Sequence, residues 1–328
     1  MNEFELIERF FARPARHAAL GIGDDCAFVA PEAGQLFAVS TDMLVEGRHF
    51  LPDADPENVG HKTLAVNLSD CAAVAAQPRY AFLACALPDA DPAWLAPFAR
   101  GFFALADRYG VELVGGDTTK GPRTLCVTIF GEVPPGGALL RSGAQAGDMI
   151  WISGEVGRAR VGLALERGES VDPVPAHLQY EALQAMHRPE PRVDLAIGLR
   201  GVATSGIDIS DGLLGDLGHI LERSAVGAEI FLPRIPASAW LHERALDPQT
   251  AAWGREFVLA GGDDYELCFT APVARAEAVR AAGRAAGVAV TPIGRIRRDP
   301  GLLVLDADGA PLDIALIRSF DHFRGAGE

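Results

Sequence analysis

In the run Ile207-Asp208-Ile209-Ser210-Asp211-Gly212-Leu213, apolar and polar side chains alternate before the spacing turns helical over Leu213, Leu214, Leu217, Ile220 and Leu221. The alternation puts Asp208 and Ser210 on one side of a strand. Asp211 stands where that strand gives way to the helix, an N-cap position beside open backbone N–H groups. Two carboxylates gathered with a hydroxyl at one junction repel each other unless a cation or a proton lies between them. The junction therefore calls for a metal ion.

Acidic groups of the same kind recur along the chain. Gly23-Asp24-Asp25 precedes an expected strand Cys26–Val29, and Ser40-Thr41-Asp42 closes an expected strand Leu36–Val39. Asp70 lies on an otherwise apolar helix, Gly115-Gly116-Asp117-Thr118-Thr119 follows Val111–Val114, and Gly261-Gly262-Asp263-Asp264 precedes Tyr265–Thr270. A single Asp in a Gly-rich turn is ordinary turn chemistry; so many at strand ends need another explanation. Hard oxygen donors select Mg²⁺ or Ca²⁺ over softer metals. Because Mg²⁺ takes one or two carboxylates and completes its shell with phosphate oxygens, the pattern points to several Mg²⁺ ions bridging a polyphosphate between two domains.

Other chemistries find no support. The chain has no Walker-type phosphate loop, Gly60-His61-Lys62-Thr63 matching only the tail of one, and Gly21-x-Gly23 lacks the third Gly of a dinucleotide fingerprint. H-E-x-x-H, a protein-kinase catalytic loop and a G-x-S-x-G elbow are missing as well. The formal charge of −15, from 29 basic and 44 acidic residues, opposes nucleic acid or an anionic membrane as partner. The five Cys form no C-x-x-C pair, as expected of reduced, mostly buried thiols in a cytoplasmic protein. Neither a signal peptide nor a bilayer-spanning run is legible. A non-catalytic Ca²⁺-binding protein is the rival from another class, although no EF-hand pattern supports it.

Length favours two domains. The first reads as a helix over 2–12, strands near 26–30 and 36–41, a helix over 57–76 and a strand at 79–87. A helix capped by Asp91-Pro92 and stopped at Gly110 follows, then strands at 111–114 and 124–133. Pro134-Pro135-Gly136-Gly137 and the polar stretch to Gly147 mark the boundary. We place the domains at 1–140 and 141–328. The second alternates strands and helices, with 170–189 a Pro-rich loop or short helix. The fold class is α+β, a mixed N-terminal sheet with helices followed by a C-terminal α/β domain.

Taken together, Gly21-Ile22-Gly23-Asp24-Asp25-Cys26, Ser40-Thr41-Asp42 with Gly47-x-His49-Phe50, and Ala65-Val66-Asn67-Leu68-Ser69-Asp70 resemble the thiamine-monophosphate kinase family. So do Gly115-Gly116-Asp117-Thr118-Thr119, Arg141-Ser142-Gly143-Ala144, the opening run and Tyr265-Glu266-Leu267, in family order along nearly the whole chain. That family belongs to a larger group resembling aminoimidazole ribotide synthetase, with a shared two-domain fold and use of ATP. The resemblance implies ATP-dependent conversion of thiamine monophosphate to thiamine diphosphate, with Asp42, Asp117 and Asp211 central to catalysis. It implies Mg²⁺ held by Asp25, Ser40, Thr41, Asp42, Asp70, Asp117, Asp208 and Asp211. ATP would meet Gly116, Asp117, Arg141 and Ser210, while His49, Asp263 and Phe320 would face thiamine monophosphate. A homodimer formed through the N-terminal domain is implied too. The family usually reads Gly-Gly-Glu-Asp-Tyr where this chain has Gly261-Gly262-Asp263-Asp264-Tyr265, so Asp263 is one methylene shorter. A synthetase of the same larger group remains the rival enzyme; one acting on selenide would need a reactive Cys near Cys26.

Overall fold

A computed structural model describes residues 2–317 and Ser319. Its contacts divide the chain into two units, Met1–Cys71 with Ala76–Ala138, and Ala72–Ala75 with Leu139–Glu328. The first unit holds α1 (Glu3–Phe10), β1 (Leu36–Val45), most of α2 (Pro56–Ala73), β2 (Gln77–Leu87), α3 (Pro92–Tyr109), β3 (Glu112–Lys120) and β4 (Thr124–Val133). Its sheet has the order β1-β4-β2-β3. β2 and β3 run parallel, which requires a crossover, and α3 supplies it. α3 begins where Asp91 accepts the Ala93 N–H beside Pro92 and ends at Gly110 with φ 68°, as the sequence indicates. α1 carries a reciprocal Asn2–Glu5 capping box and buries Leu6 and Phe10.

α2 and α3 approach backbone to backbone. A Cβ on Gly101 would lie 1.9 Å from the Glu57 carbonyl oxygen, and one on Gly60 would lie 2.0 Å from that of Phe98. Gly101→Ala must therefore push the helices apart and is expected to cost about 1–3 kcal/mol, read as a lowered thermal midpoint against wild type.

Three local expectations change in the first unit. The strand expected at Cys26–Val29 is reduced to an isolated bridge between Leu20 and Phe28, and a turn at Glu32–Gln35 follows before β1 begins the sheet. Ser40-Thr41-Asp42 lies inside β1 rather than at its end, because β4 offers partners down to Thr124. Gly115–Thr119 likewise continues β3 against Phe82–Ala86. Ladder partners far along the chain, not local composition, decide where these strands stop.

The second unit contains β5 (Met149–Ser153), α4 (Arg158–Arg167), α5 (Ala176–His187), α6 (Val193–Gly198), β6 (Ser205–Ile209), α7 (Leu213–Ser224) and β7 (Gly227–Phe231). After these come α8 (Ala239–Leu246), α9 (Ala251–Ala260), β8 (Glu266–Ala271), α10 (Ala276–Ala286), β9 (Val290–Arg297) and β10 (Gly301–Leu305). Its sheet has the order β10-β7-β9-β5-β8-β6, antiparallel except for β10 with β7. Ile150, Ile152, Ile207 and Ile209 from the strands meet Leu213, Leu217, Ile220, Val258 and Phe257 from the helices in one apolar core. That core leaves the C-terminal end of β6 and the head of α7 as the rim where polar groups collect. Mixed helices and sheets make up both units, the α+β fold class expected; in the second, expected as an α/β domain, the strands pair antiparallel apart from β10 with β7. Among the described residues no helix is long and apolar enough to cross a membrane.

Candidate functional site

In the first unit the sheet register sorts the acidic residues onto two faces. Asp42 pairs with Val127, which pairs with Leu83; these and Ser40 point toward α2. There the Ser40 hydroxyl donates to Asp70 Oδ2 at 2.5 Å, and the Asp42 N–H donates to Asn67 Oδ1 at 3.2 Å. Asn67 and Asp70 are one helical turn apart, the spacing that puts both side chains on one stripe of α2. Asp117 pairs with Ala84, which pairs with Cys126 and, through it, Met43. Asp117 and Thr41 therefore lie on the opposite face from Asp42, and Thr41 is hydrogen-bonded to the Thr128 hydroxyl at 2.9 Å.

Gly116 has φ 150°, and a Cβ there would fall 1.9 Å from the Leu83 carbonyl oxygen, so only glycine fits beside Asp117. Asp25 is exposed in a loop where its N–H donates to Asp24 Oδ1, ordinary Asx chemistry for Asp24. His49 Nδ1 accepts the Val45 N–H at 2.9 Å. That bond assigns the remaining ring proton to Nε2 and holds the ring at the end of β1.

In the second unit the acid junction at the end of β6 forms as expected, with a correction to its cap. Gly212, not Asp211, caps α7, and it makes no side-chain cap bond. A third carboxylate takes that part: Asp216 Oδ2 accepts the N–H groups of Ser210, Asp211 and Gly212 at 3.1–3.2 Å. Asp216 is 3% exposed, and its carboxyl is pushed up to about 8, first by burial and then by Asp208 and Asp211. Three mutually repelling acids thus stand at one strand end. Asp216 was legible only as a first-turn helix Asp; its reach back to three amides depends on the turn at Gly212, φ 116°. Arg141 is exposed, and the loop carrying it is tied to α7 through Ser224, which donates to the Arg141 carbonyl and accepts from the Ala144 N–H. Phe320 lies outside the described residues.

Next to the junction, Asp263 and Tyr265 adopt φ of 63° and 52°. Their N–H groups donate to the Ser210 and Ile209 carbonyls at 2.7 and 2.8 Å. Between them the half-buried Asp264 carboxyl receives the Gly157 N–H on both oxygens, and loss of solvent around it raises it well above the usual carboxylate range. Glu266, the first residue of β8, is 5% exposed. It accepts the Arg192 guanidinium on both oxygens and the Ser153 hydroxyl on one, at 2.5–2.7 Å. Ser153 and Arg192 carried no functional signal in the sequence, and Asp264 was legible only as part of the acidic turn Gly261–Asp264; the fold brings all three together here.

Residues 23–133 match the AIR synthase related protein, N-terminal domain, and residues 145–305 match its C-terminal domain. The thiamine-monophosphate kinase of Escherichia coli K12 is 43% identical over 328 residues, covering 98% of each chain. The chain belongs to the thiamine-monophosphate kinase family. A family member from Stenotrophomonas maltophilia, solved by crystallography, has a TM-score of 0.84 at 42% identity, covering 94% of this chain and 98% of its own. AaThiL complexed with AMPPCP and TMP has a TM-score of 0.75 at 31% identity, covering 90% and 89%.

The donor set of this kinase-family chain suits a hard divalent cation on chemical grounds. Among the described residues no three His, Cys, Asp or Glu groups converge to hold a metal ion. The oxygens come instead in smaller sets, such as Ser40 with Asp70, and Asp216, raised first by burial, is raised further by Asp208 and Asp211, a repulsion of the kind a cation relieves. Few protein oxygens per ion, with phosphate and water completing the shell, is how Mg²⁺ is ordinarily held. Burial raises the thiols of Cys71, Cys85, Cys126 and Cys268. These four are poor nucleophiles; Cys26, the position on which the selenide reading turns, is exposed, and it is the kinase-family match of its neighbours that speaks against that reading.

Proposed function

We propose that the protein phosphorylates thiamine monophosphate to thiamine diphosphate at the expense of ATP. The observation that carries this reading is likeness over nine-tenths of the chain, at 31% identity, to AaThiL complexed with AMPPCP and TMP, an ATP analogue and the acceptor together.

The acceptor is a phosphate monoester with a second pKa of about 6, so at neutral pH it is already mostly a nucleophile and needs no strong base. The difficulty lies in bringing two polyanions into line, a matter of positioning and charge neutralisation. In our reading Asp25, Ser40, Thr41, Asp42, Asp70, Asp117, Asp208 and Asp211 hold Mg²⁺, which supplies charge neutralisation when bound. Gly116 and Asp117 are assigned to the nucleotide by resemblance, the close approach of the Leu83 carbonyl to Gly116 fixing the backbone there. Arg141 offers a planar fork to phosphate oxygens, and Ser210 contributes on the nucleotide side. His49 and Asp263 bind the acceptor, and Phe320 is assigned beside them by resemblance. Transfer is direct and in line, with no phosphoenzyme. The N-terminal domain, 1–140, carries nucleotide, metal and dimer contacts, and 141–328 completes the site. Exposed Val39 and Met43 on the edge strand β1, 55% and 54% accessible, favour a homodimer through that edge. We assign the enzyme to the cytoplasm.

A product assay tests the reading. With thiamine monophosphate, ATP and Mg²⁺ we expect thiamine diphosphate and ADP in equal amounts, and no turnover once the metal is chelated. ATP consumption with another acceptor and none with thiamine monophosphate would overturn it, and a trapped covalent phosphoenzyme would overturn direct transfer.

A further inference from the structure

The turn Gly262–Tyr265 is held in a course that its residues do not favour. Asp tolerates left-handed backbone, but an aromatic such as Tyr265 at φ 52° does so only under strain. Such strain persists only where the surroundings over-determine it. Here three tethers do so. Asp263 and Tyr265 are bonded through their N–H groups to the end of β6. The Glu266–Arg192–Ser153 network anchors the residue that follows, with Ser153 Oγ also accepting the Leu267 N–H. Asp264, between the two left-handed residues, accepts the Gly157 N–H at 2.9 and 3.0 Å. Gly157 heads α4 without any side chain of its own to cap the helix, so Asp264 both finishes α4 and pins the turn to it.

We propose that Asp264 is a positioning residue: seated on the Gly157 N–H, it keeps the turn left-handed and so fixes Asp263 against the Ser210 end of β6 for acceptor binding. The inference rests on the reading that Asp263 faces thiamine monophosphate. Without the tether, Asp263 and Tyr265 relax toward extended backbone and the acceptor contact is displaced. The nucleotide side is spared, because Ser210 keeps its own bond to Asp216.

Two measurements on the full-length enzyme test this. Asp264→Ala is expected to raise KM for thiamine monophosphate about tenfold while KM for ATP stays within about twofold. Asp264→Asn retains one acceptor oxygen for Gly157 and is expected to return KM to within about threefold of wild type. Equal movement of both KM values, or no movement of either, overturns the proposal. Should the Ala variant not fold, hydrogen exchange on the wild-type chain decides. By reciprocity of coupling, thiamine monophosphate must slow exchange at Gly157 together with Asp263 and Tyr265, whereas AMPPCP alone must not. Slowing at Asp263 and Tyr265 with Gly157 unmoved overturns the proposal. A wild-type enzyme that turns over no thiamine monophosphate overturns the functional reading and the acceptor role with it. A shared opening rate of the three amides, measured without ligand, then still reports whether Asp264 holds the turn.

Discussion

Asp211→Asn is expected to lower turnover with thiamine monophosphate and ATP by on the order of 10³-fold, the scale of losing one electrostatic contact to the transition state, while the protein stays folded. The backbone of Asp211 is held by its N–H to Asp216, a bond the substitution leaves in place. What disappears is one negative charge at the junction where burial first, and then Asp208 and Asp211, raise Asp216. Losing that charge relieves repulsion in the ligand-free protein, so the thermal midpoint should hold or rise. On the proposed function the same change deprives Mg²⁺ of a ligand when ATP is bound. Stability and activity therefore move in opposite directions or independently, which separates a role in the reaction from a role in folding. Asp24→Asn is the control, since Asp24 already accepts its neighbour's N–H, and it should retain most activity. Near-normal turnover in Asp211→Asn would remove the junction from the mechanism.

Arg192→Ala is expected to produce the largest loss of stability. Glu266 is buried, and its carboxylate is matched by a two-point guanidinium contact and one hydroxyl. Removing the cation leaves an uncompensated buried charge, at a cost of about 3–5 kcal/mol, or a drop of roughly 10 °C in the melting transition. Arg192→Lys should restore little, because an ammonium cannot reproduce the planar two-point contact. Arg192→Met with Glu266→Leu should recover more stability than either charge-removing change alone, since it eliminates both the charge and its desolvation. Melting curves of these variants and of the two single changes Arg192→Met and Glu266→Leu check this; an Arg192→Ala midpoint within a degree or two of wild type would show that the pair carries little of the unit's stability.

Much of the element order follows from local patterning. Asp91-Pro92 and Gly110 delimit α3 because capping acts within a few residues. The alternation at Ile207–Ile209 and the helical spacing after Gly212 locate β6 and α7 for the same reason. Family membership was legible too, since its motifs lie in order along the chain, each a short contiguous run. Partner-dependent features were not legible. Ser40–Asp42 lies inside a strand because β4 reaches that far, and the ladder then sends Asp42 and Asp117 to opposite faces of one sheet. Asp216, Arg192 and Ser153 looked like ordinary surface or core residues, and Asp264 showed only as the second acid of a Gly-rich turn. Their contacts to Ser210–Gly212, to Gly157 and to Glu266 span 4 to 113 positions. Which residues can do chemistry was thus set by side-chain type and near-neighbour spacing. How they are held was decided by hydrogen bonds and burial that exist only once distant segments are packed together.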